Sequence, residues 1–137
     1  MTVSLEAGLV GRNARTLCSF YTDVLGFALL ERLEFDAGSV CKLRRGAARL
    51  KIFFPREAIA PVTSPVPWFR PGGWRYAALL LEHHSDVDAL ADGALRAYGR
   101  VLIAPTNHRE GARMAMITDP EGNAWELLAE APETARG

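Results

Sequence analysis

The chain carries the same helical plan twice. "NARTLCSFYTDVLG" (13–26) places Leu17, Phe20, Tyr21, Val24 and Leu25 at the i, i+3, i+4, i+7, i+8 positions of one helix face. "DVDALADGALRAYG" (86–99) repeats the stripe with Val87, Leu90, Ala91, Ala94, Leu95 and Tyr98. Asn13 is placed to cap the first helix by accepting from unpaired backbone N–H groups. Ser85 and Asp88 form a capping-box pattern for the second. Gly26 and Gly99 are placed to close the two helices in the left-handed conformation that glycine enters freely.

Each helix follows a strand-like stretch, "VSLEAGLVG" (3–11) or "WRYAALLLEHH" (74–84). Each is followed by three more. In the first half these are "FALLERLEF" (27–35), "SVCKLRR" (39–45) and "ARLKIFF" (48–54). In the second they are "RVLIA" (100–104), "ARMAMIT" (112–118) and "AWELLAE" (124–130). Asp119-Pro120-Glu121-Gly122 is a type I turn pattern before the last strand, and Gly46 marks the matching corner of the first half. The pattern predicts an α+β fold, a single domain over residues 1–137 made of two tandem βαβββ modules, 3–54 and 74–130. A Pro-rich connector spans 55–73 and a disordered tail 131–137. The connector reads as a surface linker or, because of Trp68, Phe69 and Arg70, as a loop lining a pocket.

With 49% hydrophobic residues, 137 residues suffice for a core. Sixteen basic residues balance 16 acidic ones, which removes the electrostatic footprint of a nucleic-acid partner. The longest apolar run, "AALLL" (77–81), is too short to cross a membrane. Cys18 and Cys41 lack metal or redox spacing and read as reduced thiols of a cytoplasmic protein with no secretory signal.

The two modules, with "FYTDVLGF" (20–27) and "DPEGNAWELL" (119–128), resemble the vicinal-oxygen-chelate superfamily over residues 3–130. That group includes glyoxalase I-like lyases, extradiol dioxygenases, epimerases and bleomycin-resistance-type binding proteins. The resemblance implies a glyoxalase/bleomycin-resistance/dioxygenase fold, a curved mixed sheet around a cavity, with frequent homodimers. It also implies four inward metal-ligand positions, on the first and last strands of each module. Two of these carry carboxylates, Glu6 and Glu126. The third falls on Lys51, whose ammonium has no lone pair to give. The fourth falls on Leu79 or, with a shift of three residues, Tyr76; neither is histidine. His83 and His84 are adjacent on the expected strand, and His108 sits in the polar turn "TNHREG".

Three functions follow. The first is a metal-free module that binds a small aromatic or carbonyl-containing molecule, with no cofactor. Arg49, Lys51, Phe53, Trp68, Trp74, Arg75, Tyr76 and Leu128 line its cavity, and Lys51 sits between Glu6 and Glu126. The second is a metal-dependent lyase, isomerase or dioxygenase. There a divalent ion on Glu6 and Glu126 polarises vicinal substrate oxygens, and Glu126 or Tyr76 handles protons. The third is metal-free catalysis in which Lys51, near the carboxylates Glu6 and Glu126, acts as a general base or Schiff-base lysine. The partner expected in every case is a small molecule, neither nucleic acid nor membrane.

Overall fold

The structure is a computed structural model that describes residues 2–61, 68–70 and 72–130. The tail at 131–137 and much of the connector at 55–73 lie outside the described residues. The chain divides at residues 61 and 62 into two compact units. Each has the βαβββ plan.

In the first unit, β1 (Glu6–Val10) leads to α1 (Ala14–Ser19), then to β2 (Ala28–Phe35), β3 (Gly38–Arg45) and β4 (Ala48–Pro55). The sheet order is β1-β4-β3-β2, with β1 parallel to β4 and the other pairs antiparallel. Asn13 caps α1 as expected, its side chain accepting from the Thr16 N–H at 3.0 Å. The helix does not run as a regular α-helix to Gly26. From Phe20 to Val24 it widens into a π turn, closed by the Leu25 N–H on the Phe20 carbonyl. The wider turn leaves Leu17, Phe20, Tyr21 and Leu25 all buried, with Tyr21 edge-on to both Phe20 and Phe27. Gly26 then takes a left-handed φ of 74°. Cys41, Leu43, Leu50, Ile52 and Phe54 form the buried face of the sheet.

In the second unit, β5 (Tyr76–Leu81) leads to α2 (His84–Arg96), then to β6 (Arg100–Asn107), β7 (Arg113–Thr118) and β8 (Ala124–Ala129). The order β5-β8-β7-β6 mirrors the first sheet, again with one parallel pair. Helix α2 packs on β6, β7 and β8. Its buried residues Val87, Ala91 and Ala94 accompany buried Leu79, Ala115, Ile117, Trp125 and Leu127.

Three local expectations are corrected here. The strand expected at 74–84 stops at Leu81, so His83 and His84 do not alternate across a sheet; extended His83 is the cap and His84 the first helical residue. No side chain bonds at that cap, so the Ser85–Asp88 box does not form; Asp88 is committed to Arg113 instead. Gly99 does not take the left-handed position. Tyr98 does, with φ 68°, while the Gly99 N–H reaches back to the Ala94 carbonyl at 2.8 Å. That is the bonding of a Schellman end, with glycine one residue later than expected.

Candidate functional site

Register and alternation decide which side chains share a sheet face. In the first unit, Glu6 lies beside Arg49, Gly8 beside Lys51, and Val10 beside Phe53. These positions alternate with the buried Leu50, Ile52 and Phe54 that face the core. Arg49, Lys51, Phe53 and Glu6 therefore stand together on the face away from the core. There the Lys51 ammonium lies 3.5 Å from Glu6 Oε1, with side chains 48% and 33% exposed. At that exposure the pair is screened, and it contributes at most about 1 kcal/mol.

In the second unit, the opposing pairs Met114–Leu128, Met116–Glu126 and Thr118–Ala124 put Glu126 on the same face as the buried methionines. Ala78 is its neighbour on β5. Trp125 and Leu127 point the other way and are buried. Glu126 is thus a half-buried carboxylate on an apolar face. Leu128, Met114, Met116 and Ala112 form a cluster on this face against which Trp68, Leu102, Ile103 and Ala124 pack.

Trp68 links that cluster to an aromatic hollow. Its ring meets Phe69 edge-on at 5.7 Å and Tyr76 at 5.3 Å. Trp68, Phe69, Trp74, Arg75 and Tyr76, with Gly72 and Gly73, line an open space of about 560 Å³. The Arg75 guanidinium donates to the Gly72 carbonyl, which ties the loop that shapes the hollow. Trp74 is 93% exposed. Together with the exposed rings of Phe69 and Tyr76 it makes a contiguous apolar patch, the kind of surface that marks an interaction site where a single exposed ring does not.

The turn before β8 is structural. Buried Asp119 accepts from the Glu121 and Asn123 N–H groups at 2.9 and 3.0 Å, and from the Asn123 side-chain amide at 2.8 Å. The Gly122 N–H closes the turn on the Asp119 carbonyl at 3.1 Å. This carboxylate is saturated by the turn that aims β8, and with it Glu126.

Among the described residues no three His, Cys, Asp or Glu side chains are grouped to hold a metal ion. Glu6 faces a lysine, and His84 Nε2 contacts the Gly111 carbonyl at 2.7 Å. Lys42 and Arg44 escaped the sequence reading and join the first-unit face opposite Lys51 and Arg49. Their signal was the alternation in "SVCKLRR", which has no meaning until the hairpin register is known.

No helix among the described residues is long and apolar enough to cross a membrane. No curated protein matches the chain. Solved structures do. A glyoxalase-family protein from Bacillus cereus superposes with a TM-score of 0.79 at 11% identity, covering 96% of this chain and 97% of that one. A glyoxylase/bleomycin resistance protein/dioxygenase domain from Frankia sp. EAN1pec gives 0.77 at 17%, covering 95% and 98%. A glyoxalase family protein from Enterococcus faecalis gives 0.65 at 22%, covering 91% and 94%. These likenesses establish the fold. The family model described as Glyoxalase/Bleomycin resistance protein/Dioxygenase superfamily matches residues 5–127, and the chain, with its two tandem βαβββ modules, belongs to that superfamily.

Proposed function

We propose that the chain binds a small aromatic or carbonyl-containing organic molecule in the hollow of its second module, without a metal. The observation that carries this reading is Trp74, almost wholly exposed beside the edge-to-face cluster of Trp68, Phe69 and Tyr76. Exposed aromatic rings offer a flat ligand large contact area at little entropic cost, since each has only two side-chain torsions to fix. Trp68 is anchored from below by the Met114, Met116 and Leu128 cluster, so part of the surface is rigid before a ligand arrives. Glu126, the one carboxylate among the described residues of β5–β8, is offered as an acceptor for a ligand N–H or O–H.

In this reading the protein works in solution as a homodimer.

The test is titration of tryptophan fluorescence with a panel of flat aromatic carbonyl compounds, before and after treatment with a chelator. Binding is expected to saturate, to survive chelation, and to weaken roughly tenfold in Trp74→Ala, the loss of about one aromatic contact. Binding that vanishes with the chelator, or an unchanged affinity in Trp74→Ala, overturns the proposal.

A further inference from the structure

The first unit presents a second feature, independent of the aromatic hollow. On β3 and β4, Lys42 stands opposite Lys51, and Arg44 stands opposite Arg49. These are consecutive positions on the face away from the core, separated along the strand by about 7 Å. Like charges directly opposed across a sheet destabilise it. A chain that stacks two such pairs holds them against repulsion unless something anionic lies between them.

The available carboxylates do not balance this ladder. Glu6 is the β1 neighbour of Arg49 and sits 3.5 Å from the Lys51 ammonium, one carboxylate beside four cations. Glu31 is the β2 neighbour of Lys42, yet the two form no ion pair among the described residues. Arg44 and Arg49 have no hydrogen bond or ion pair among the described residues. Arg45, on the alternate face, shows the contrast: its guanidinium donates to the Leu25 carbonyl at 2.9 Å and closes the end of the helix. Toward the other end of the ladder the same face turns apolar. Val40 lies opposite Phe53, with Leu33 and Val10 as their neighbours on β2 and β1.

We propose that this face is a binding site for an aromatic or otherwise apolar organic acid. Its oxyanion is held in the fork of Arg44 and Arg49, and its apolar body runs from there over Lys42 and Lys51, which stand between the fork and the apolar end at Val40 and Phe53. Two guanidinium groups fit the planar or tetrahedral oxygens of a carboxylate or phosphate in paired hydrogen bonds, which isolated lysines cannot reproduce. Binding relieves the Arg–Arg repulsion, so the ligand stabilises the sheet that holds it.

The experiment compares three probes of one skeleton by calorimetric titration: naphthoate, naphthyl phosphate and neutral naphthamide. At least one acid is expected to bind roughly tenfold tighter than the amide, with affinity falling as salt rises. The tighter acid tells carboxylate from phosphate. In the double variant R44Q/R49Q the acid preference is expected to disappear while naphthamide affinity stays unchanged. The variant is also expected to melt no lower than the parent, because it removes a repulsion. Trp74→Ala separates this site from the hollow of the second module; it is expected to weaken naphthamide and to leave the acid's affinity unchanged, so that the preference widens. A preference that survives R44Q/R49Q, or is lost in Trp74→Ala, overturns the site, as does equal binding of all three probes or none.

Discussion

Arg113 and Asp88 form a two-pronged ion pair. Arg113 Nε donates to Asp88 Oδ2 and Nη2 to Oδ1, each at 2.7 Å, while Nη1 reaches Asn107 Oδ1 at 3.0 Å. The pair ties the first turns of α2 to the start of β7, across 25 positions of sequence. The fork requires a planar guanidinium, so Arg113→Lys is expected to keep the charge yet lose most of the stabilisation. Hydrogen bonding to Arg113 holds the Asp88 carboxyl below its ordinary value of 3.8. A carboxylate depressed in the folded state contributes stability above the unfolded pKa, and loses it as pH falls through the folded one. Thermal melts should place Asp88→Asn a few degrees below the parent at neutral pH and level with it in strong acid. Equal melting at neutral pH would show that solvent screens the pair completely.

Tyr98 offers the opposite experiment. It holds a left-handed φ of 68° while its side chain is 86% exposed. A side chain in that conformation costs about 1 kcal/mol, and here no packing offsets it. Tyr98→Gly is therefore expected to stabilise the fold by about that amount, less the entropy glycine adds to the unfolded chain. Chemical denaturation gives the number. A destabilised variant would mean the ring makes a contact that its exposure conceals.

These two residues also show where sequence reading works and where it stops. Both helices, all eight strands and the DPEG turn were legible, because apolar spacing and turn residues act locally. The π turn at Phe20–Val24 was not, since Leu17, Phe20, Tyr21, Val24 and Leu25 satisfy either winding. Asp88 was assigned to a cap because a capping box is a local pattern, whereas its actual partner Arg113 is remote. The left-handed residue was expected at Gly99 by conformational preference alone; the Schellman bonding of the whole turn put it at Tyr98.

The site divides in the same way. Glu6 follows from its distance to the Asn13 cap, Lys51 from aligning the last strands of the two modules, and Arg49 from its charge beside Lys51; the structure brings the three onto one face. Trp68, Trp74, Arg75 and Tyr76 stood out by residue type in and beside a proline-rich stretch, and they line one hollow. Lys42 and Arg44 needed the register across the Gly46 corner, which pairs Arg45 with Ala48 and fixes every later partner.

Two glycines of the first sheet should respond oppositely to a methyl group. A Cβ on Gly38 would meet the Phe54 carbonyl oxygen at 2.2 Å and the Pro55 Cα at 2.9 Å, both backbone atoms of the neighbouring strand. Relief requires the hairpin to open, so Gly38→Ala is expected to cost about 3 kcal/mol, the upper end for forced overpacking. A Cβ on Gly8 meets nothing within 4 Å, and β1 holds the residue extended. Gly8→Ala is therefore expected to stabilise by about 0.5–1 kcal/mol through the unfolded state. Urea titration of both variants checks the contrast. Equal shifts of the midpoint would contradict it.

Cys18 gives a prediction readable by mass alone. Burial first, and then the hydrogen bond and charge of Cys41, push its thiol from 9.0 up to about 12; Arg32 opposes them weakly. The thiolate is the reactive species, so the folded chain should alkylate at Cys18 far more slowly than the unfolded chain at every pH between neutrality and the raised value. The linkage has a sign. The native state keeps its proton where the unfolded state has lost one, so stability falls as pH rises through the interval from 9.0 to about 12. Cys18→Ala removes that slope. Iodoacetamide labelling followed by peptide mass analysis should find Cys18 protected in the native chain and modified once denaturant is added. Rapid native labelling of Cys18 would show that the α1–β3 packing opens on the timescale of the reaction.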